Sequence, residues 1–76
     1  MGGKASSIQN RIREMRKAAG LSQAALAEAI GATRQTVIAV EAQRYAPSLE
    51  LAFRISHVLG ERVDEVFMFS GEWSAT

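Results

Sequence analysis

The sequence predicts an all-α fold, a compact bundle of five helices in one small domain. Apolar residues recur at spacings of three and four, which is the period of an amphipathic helix. The periodic segments are short, and glycine, serine or proline separates them, as expected where helices begin and end. No segment before the C-terminal tail has a clear strand pattern, and 76 residues provide only a single core.

Composition excludes several classes of protein. The sequence contains no cysteine, so neither disulfides nor thiolate metal sites can reinforce the fold. No apolar run approaches the roughly 20 residues that span a bilayer, and the N-terminal MGGKASS lacks the apolar core of a signal peptide. We therefore expect a soluble, cytoplasmic protein with no membrane contact, no metal, no cofactor and no small-molecule ligand.

The charges are unevenly distributed along the chain. Residues 1–44 carry seven basic and three acidic side chains, a formal charge of +4, whereas residues 45–76 carry two basic and five acidic side chains, a formal charge of −3. The total is +1. A basic N-terminal part and an acidic C-terminal part are what one face directed at a polyanion would require.

The first helix is predicted at about residues 8 to 19, ended by Gly20. Residues 1–7 show no apolar period, and we expect them to be a flexible N-terminus. One helical stripe contains the apolar residues of this helix: Ile8, Ile12, Met15 and Ala19.

Residues 23–42 predict two short helices joined by a tight turn at Gly31. The second helix of the chain spans about residues 22 to 30, with Ser22 as its N-cap. The third spans about residues 33 to 42. At about 100° per residue, its two sides separate: Thr36, Val37 and Val40 on one, and Arg34, Gln35, Ile38 and Ala42 on the other. One side is therefore core, and the other is available to a partner, as in a helix-turn-helix that binds DNA.

The remaining helices are predicted after a linker at residues 43–47. A fourth helix spans about residues 48 to 59, and a short fifth spans about residues 63 to 67. Residues 68–76 form an apolar tail. Phe67, Met68, Phe69 and Trp73 either close the small core or form a dimer contact, and we favour a dimer contact through Phe67, Phe69 and Trp73 because so small a domain can bury few large side chains.

The spacing of small and apolar residues resembles the helix-turn-helix of the phage repressor and Cro group, the Xre family. The residues that carry the resemblance are Leu26, Ala27, Ile30, Gly31, Ala32, Val37 and Val40. The flanking segments IREMRKAAGLSQ and YAPSLELAFRISHVLGERVDEVF extend it to residues 8–67. The resemblance implies a lambda-repressor-like DNA-binding domain, in which Ala27 permits close crossing of the two helices and Gly31 makes the turn.

The resemblance also implies roles for individual residues. Base contacts in the major groove are expected from Arg34, Gln35 and Ile38; phosphate contacts are expected from Gln23, Thr36 and Arg44; and a salt bridge is expected between Arg16 and Glu41. Two departures weaken the expected DNA contacts, one to bases and one to phosphate. Ile38 stands where similar sequences usually have a polar residue, and Ala42 with Gln43 stands where they often have Asn-Gly. Sequence preference therefore depends mainly on Arg34 and Gln35.

The function predicted from these features is sequence-specific transcriptional regulation, by a dimeric repressor or autoregulator that binds double-stranded operator DNA. The alternative is a protein-interaction module, such as an antitoxin or bridging factor, that uses Ile38 and the apolar tail to hold another protein. We do not expect an enzyme, because no general acid, base and nucleophile fall together. His57, the only histidine, is interpreted as a surface residue.

Overall fold

The computed structural model describes residues 7–69, which form five helices and a two-stranded antiparallel ribbon. The elements in chain order are β1 (Ile8–Asn10), α1 (Ile12–Ala18), α2 (Gln23–Ile30), α3 (Arg34–Glu41), α4 (Leu49–Leu59), α5 (Val63–Val66) and β2 (Phe67–Phe69). The predicted fold class, a compact five-helix bundle with a helix-turn-helix, is confirmed, and the ribbon is a small addition to it.

A single apolar core receives side chains from every helix. Its buried members are Ile12, Leu26, Ala27, Ile30, Val37, Val40, Ile55 and Val66. Most are spaced three or four residues apart within their helices, so the helical period in the sequence identifies the buried faces. Met15, Leu51 and Phe67 are among the partly buried residues that pack against this core.

Serine and threonine side chains define where three of the helices begin. The hydroxyls of Ser22, Thr33 and Ser48 each accept a hydrogen bond from the backbone N–H three residues later, at 3.0, 3.2 and 3.1 Å. These bonds satisfy N–H groups that have no partner within the helix. The predicted starts of α2, α3 and α4 are therefore correct to within a residue.

The predicted start of the first helix is wrong. Residues 8–10 form strand β1, which pairs antiparallel with β2, Ile8 opposite Phe69 and Asn10 opposite Phe67. The helix begins only at Ile12, whose N–H donates to the Asn10 Oδ1 at 3.1 Å. Ile8 is in helical phase with Ile12 by coincidence, because pairing with a strand near the other end of the chain overrides the local period.

The C-terminal segment differs from the prediction in the same way. The fifth helix ends at Val66, and Phe67 begins β2 instead of ending the helix. Phe67 packs against the core, whereas Phe69 is 49% exposed. The flexible N-terminus predicted for residues 1–7, apart from Ser7, and the tail residue Trp73 lie outside the described residues.

Candidate nucleic-acid interface

The outer face of α3 is the candidate interface. Arg34 and Gln35, in its first turn, are exposed, while Val37 and Val40 on its inner face are each 2% exposed. Ile38 is half-buried beside them. Polar groups at the start of a helix, held by an apolar face at its back, can project into a groove without moving the helix.

The turn before α3 sets the angle between the two helices. Gly31 has a φ of 72°, in the left-handed region, and the Ala32 N–H donates to the Ala27 carbonyl at 2.9 Å. Arg54 of α4 lies against this turn and donates to the Ile30 carbonyl at 3.2 Å. A Cβ at Gly31 would come within 3.2 Å of the Arg54 Nη1, so glycine suits both the backbone and the space.

A buried ionic network holds α3 against α1 and α2. The Arg16 Nε donates to the Glu41 Oε2 at 2.7 Å, and its Nη2 donates to the Glu41 Oε1 at 3.3 Å. The Arg16 Nη1 also donates to the Leu21 carbonyl at 3.0 Å. Both side chains are only 9% exposed. The structure thus contains the predicted salt bridge, and its burial makes the loss of either partner expensive, about 3 to 5 kcal/mol.

Gln23 belongs to the same network, a role that sequence reasoning missed. Its Nε2 donates to the Glu41 Oε1 at 3.2 Å. Gln23 and Glu41 lie 18 residues apart on different helices, so no local pattern indicates the contact. The Gln23 side chain, which the resemblance assigns to phosphate contact, is therefore held by a hydrogen bond within the protein itself.

The C-terminal end of α3 has an unusual left-handed residue. Gln43 has a φ of 59°, whereas three other turns use glycine at this conformation. The Gln43 N–H donates to the Val40 carbonyl at 3.1 Å, and the Arg44 N–H donates to the Ala39 carbonyl at 3.0 Å. This pattern is a Schellman motif, and it places the exposed Arg44 directly after the helix.

The arginines differ in whether a carboxylate neutralises them. Arg54 pairs with Glu50 at 2.8 Å and Arg62 pairs with Asp64 at 3.0 Å. Arg34 and Arg44, at the two ends of α3, form no ion pair with any residue of 7–69. Two unneutralised guanidinium groups at the ends of one exposed helix face favour an anionic partner.

Metal-ligating groups, helix length and surface grooves were compared within residues 7–69. No group of three histidine, aspartate or glutamate side chains within this range is placed to hold a metal ion. No helix in the same range is long and apolar enough to cross a membrane. His57 is exposed near the end of α4 and lines an open groove of about 550 Å³ with Phe53 and Val63.

Comparison with known proteins agrees with this geometry. A helix-turn-helix family model matches residues 12–66, which contain all five helices. The chain belongs to the helix-turn-helix family. The match confirms the resemblance that the small and apolar positions of α2 and α3 predict.

Curated relatives and solved structures extend the comparison. An uncharacterized HTH-type transcriptional regulator of Methanothermobacter thermautotrophicus is 55% identical over 58 residues, covering 75% of this chain and 84% of the relative. The regulator YgzD of Bacillus subtilis, also uncharacterized, is 40% identical over 65 residues, covering 86% of this chain and 98% of the relative. The restriction-modification controller protein C.AhdI of Aeromonas hydrophila has a TM-score of 0.68 at 35% identity, covering 71% of this chain and 82% of that one.

Replacing Gln43 with glycine tests the turn that ends α3. A residue with a Cβ costs about 1 kcal/mol or more in the left-handed region, so we expect Gln43→Gly to raise the free energy of unfolding by about 1 kcal/mol. Urea denaturation measures this change. Gln43→Ala is the matched control, because it shortens the side chain but keeps the Cβ, and it should give no such gain. Equal stability of the two variants would contradict strain at this position.

Proposed function

We propose that this protein is a sequence-specific DNA-binding transcriptional regulator that inserts α3 into the major groove of operator DNA. The observation that carries the proposal is the outer face of α3, where Arg34 and Gln35 are exposed and Arg34 has no carboxylate partner within residues 7–69. Membership of the helix-turn-helix family and the names of relatives that are transcriptional regulators support it.

Base contacts in this proposal come from the first turns of α3. The Arg34 guanidinium suits O6 and N7 of a guanine, and the Gln35 amide suits N6 and N7 of an adenine. Ile38 is half-buried, so it offers part of its apolar surface to a thymine methyl group. Discrimination between sequences therefore depends mostly on two side chains.

Phosphate contacts are assigned to residues around the outer face of α3. Arg44 supplies a positive charge immediately after α3. The Thr36 hydroxyl lies 3.1 Å from the Thr33 hydroxyl, so these two groups can share one hydrogen bond and still offer another to a phosphate. Gln23, held by Glu41, retains amide hydrogen-bonding capacity beyond the one bond to that carboxylate.

A homodimer completes the proposal. We propose that two copies associate through α5 and the C-terminal segment, with their α3 helices about 34 Å apart to meet half-sites one DNA turn apart. The contact is assigned to Phe69, which is 49% exposed on β2, while Phe67 is partly buried against the core. We further propose repression or autoregulation in the cytoplasm, without cofactor, small-molecule ligand or catalytic activity.

An exposed apolar pair on α4 supports protein binding as a second candidate function. Leu49 and Phe53 lie one turn apart on α4 and are 73% and 54% exposed. This apolar pair favours a protein partner, as in an antitoxin or bridging factor. Ile38 contributes less to such a surface than the sequence predicts, because the structure leaves it half-buried.

Substitution of Gln35 and Arg44 separates base contact from phosphate contact. Gln35→Ala should cost about 1 to 3 kcal/mol on the preferred duplex and relax the preference at one base position. Arg44→Ala should weaken binding to all duplexes alike and lower the salt slope by about 0.9. Fluorescence anisotropy across a salt series on duplexes selected from a random pool measures both quantities.

Arg62→Ala is the matched control for lost charge, because Arg62 is already paired with Asp64. It should leave affinity and the salt slope close to those of the unsubstituted protein. A uniform loss on all sequences for Gln35→Ala, or an unchanged slope for Arg44→Ala, contradicts the assigned roles.

Sedimentation equilibrium tests the dimer contact. Phe69→Ser should shift the equilibrium toward monomer, because it removes an exposed aromatic side chain from the proposed interface. Phe53→Ser is the control on the other exposed apolar surface and should leave the dimer intact. Dissociation by Phe53→Ser alone would place the contact on α4 and contradict a dimer contact through Phe69.

A further inference from the structure

The side chain of Asn10 connects β1 and the start of α1 to the end of α3, which lies 30 residues further along the chain. Its Nδ2 donates to the Val40 carbonyl at 2.8 Å, and its Oδ1 accepts from the Ile12 N–H at 3.1 Å. Its backbone lies in β1, opposite Phe67 of β2. One amide group therefore joins the terminal ribbon, the start of α1 and the end of α3.

The Val40 carbonyl is the acceptor at the point where α3 changes to the left-handed turn. It also accepts from the Gln43 N–H at 3.1 Å, so its two lone pairs are both used. Gln43 adopts its φ of 59° without the freedom of glycine. A second donor on the same carbonyl stabilises a turn that the local sequence disfavours.

Arg44 depends on this turn for its position. Its N–H closes the Schellman motif on the Ala39 carbonyl at 3.0 Å, so the side chain leaves the backbone at a point determined by the turn. If the turn opens, the Arg44 side chain no longer extends from a fixed backbone position, while Val37 and Val40 stay packed in the core. The effect on a partner would then be local to the end of α3.

We propose that Asn10 is a positioning residue for DNA contact: it holds the end of α3, and with it Arg44, in the geometry that phosphate binding requires. The inference rests on the proposed DNA-binding function and deepens it. It assigns Asn10 a role in DNA affinity although its side chain is directed at the protein's own backbone and contacts no DNA.

Asn10→Ser tests the bond to Val40. The substitution retains an oxygen that can accept from the Ile12 N–H and removes the amide group that reaches the Val40 carbonyl, without adding a charge. We expect affinity for the selected duplex to fall on the order of tenfold, as for loss of one hydrogen bond. The salt slope should fall by up to about 0.9, as for loss of one phosphate contact.

A double-mutant cycle with Arg44 distinguishes positioning from general stability. Arg44→Ala should weaken DNA binding in the unsubstituted protein but have little further effect in Asn10→Ser, because the guanidinium there is already misplaced. Val58→Ala, which trims a partly buried residue of α4 that packs on the core, is the control of lowered stability. It should retain the full effect of Arg44→Ala.

Gln43→Gly supplies a rescue and a safeguard. Glycine adopts the left-handed turn without help, so adding it to Asn10→Ser should restore part of the lost affinity. If Asn10→Ser alone does not fold, the double-mutant cycle with Arg44→Ala can be measured with Gln43→Gly present in every variant. Circular dichroism then shows which variants are folded.

The possible outcomes separate the two proposals. If the unsubstituted protein binds DNA without salt dependence, the proposed function fails, and the role of Asn10 fails with it. If the unsubstituted protein binds as expected but Asn10→Ser binds equally well, or Arg44→Ala has its full effect in Asn10→Ser, the positioning role is overturned and the DNA-binding function stands.

Discussion

The arrangement of the first three helices depends on the hydrogen bonds that the Glu41 carboxylate accepts. Glu41 belongs to α3 and accepts hydrogen bonds from Arg16 of α1 and Gln23 of α2. Burying an ion pair is costly, and it is tolerated here because both carboxylate oxygens and three guanidinium nitrogens have partners. The direction of α3 is thereby set from its C-terminal half, and the first turn is left free to face a partner.

The two ends of α3 are held by contacts of different kinds. At its start, Gly31 makes the turn from α2, and Arg54 ties that turn to α4. At its end, Asn10 and the Schellman motif fix the carbonyl of Val40. A helix restrained at both ends loses little conformational freedom when it enters a groove, so fewer base contacts suffice for a given affinity. This matters because Ile38 donates no hydrogen bond.

Much of the fold could be predicted from local patterns, and the rest could not for a physical reason. Helical period identified Val37, Val40 and Ile55 as buried, and cap chemistry located the starts of three helices. The ribbon was missed because β1 and β2 pair across nearly the whole chain. The bonds from Gln23 to Glu41 and from Asn10 to Val40 span 18 and 30 residues, distances at which no periodic signal exists.

We propose that α3 binds DNA with its outer face. Backbone amide chemical shifts, followed by NMR as a selected duplex is added, test this directly because nearly every residue other than Pro47 reports at once. The largest changes are expected on residues 33–38, on Arg44 and at the start of α2 around Gln23, while the exposed face of α4 at Leu49 and Phe53 should change little. Changes confined to that face of α4, with residues 33–38 unaffected, would contradict DNA binding by α3.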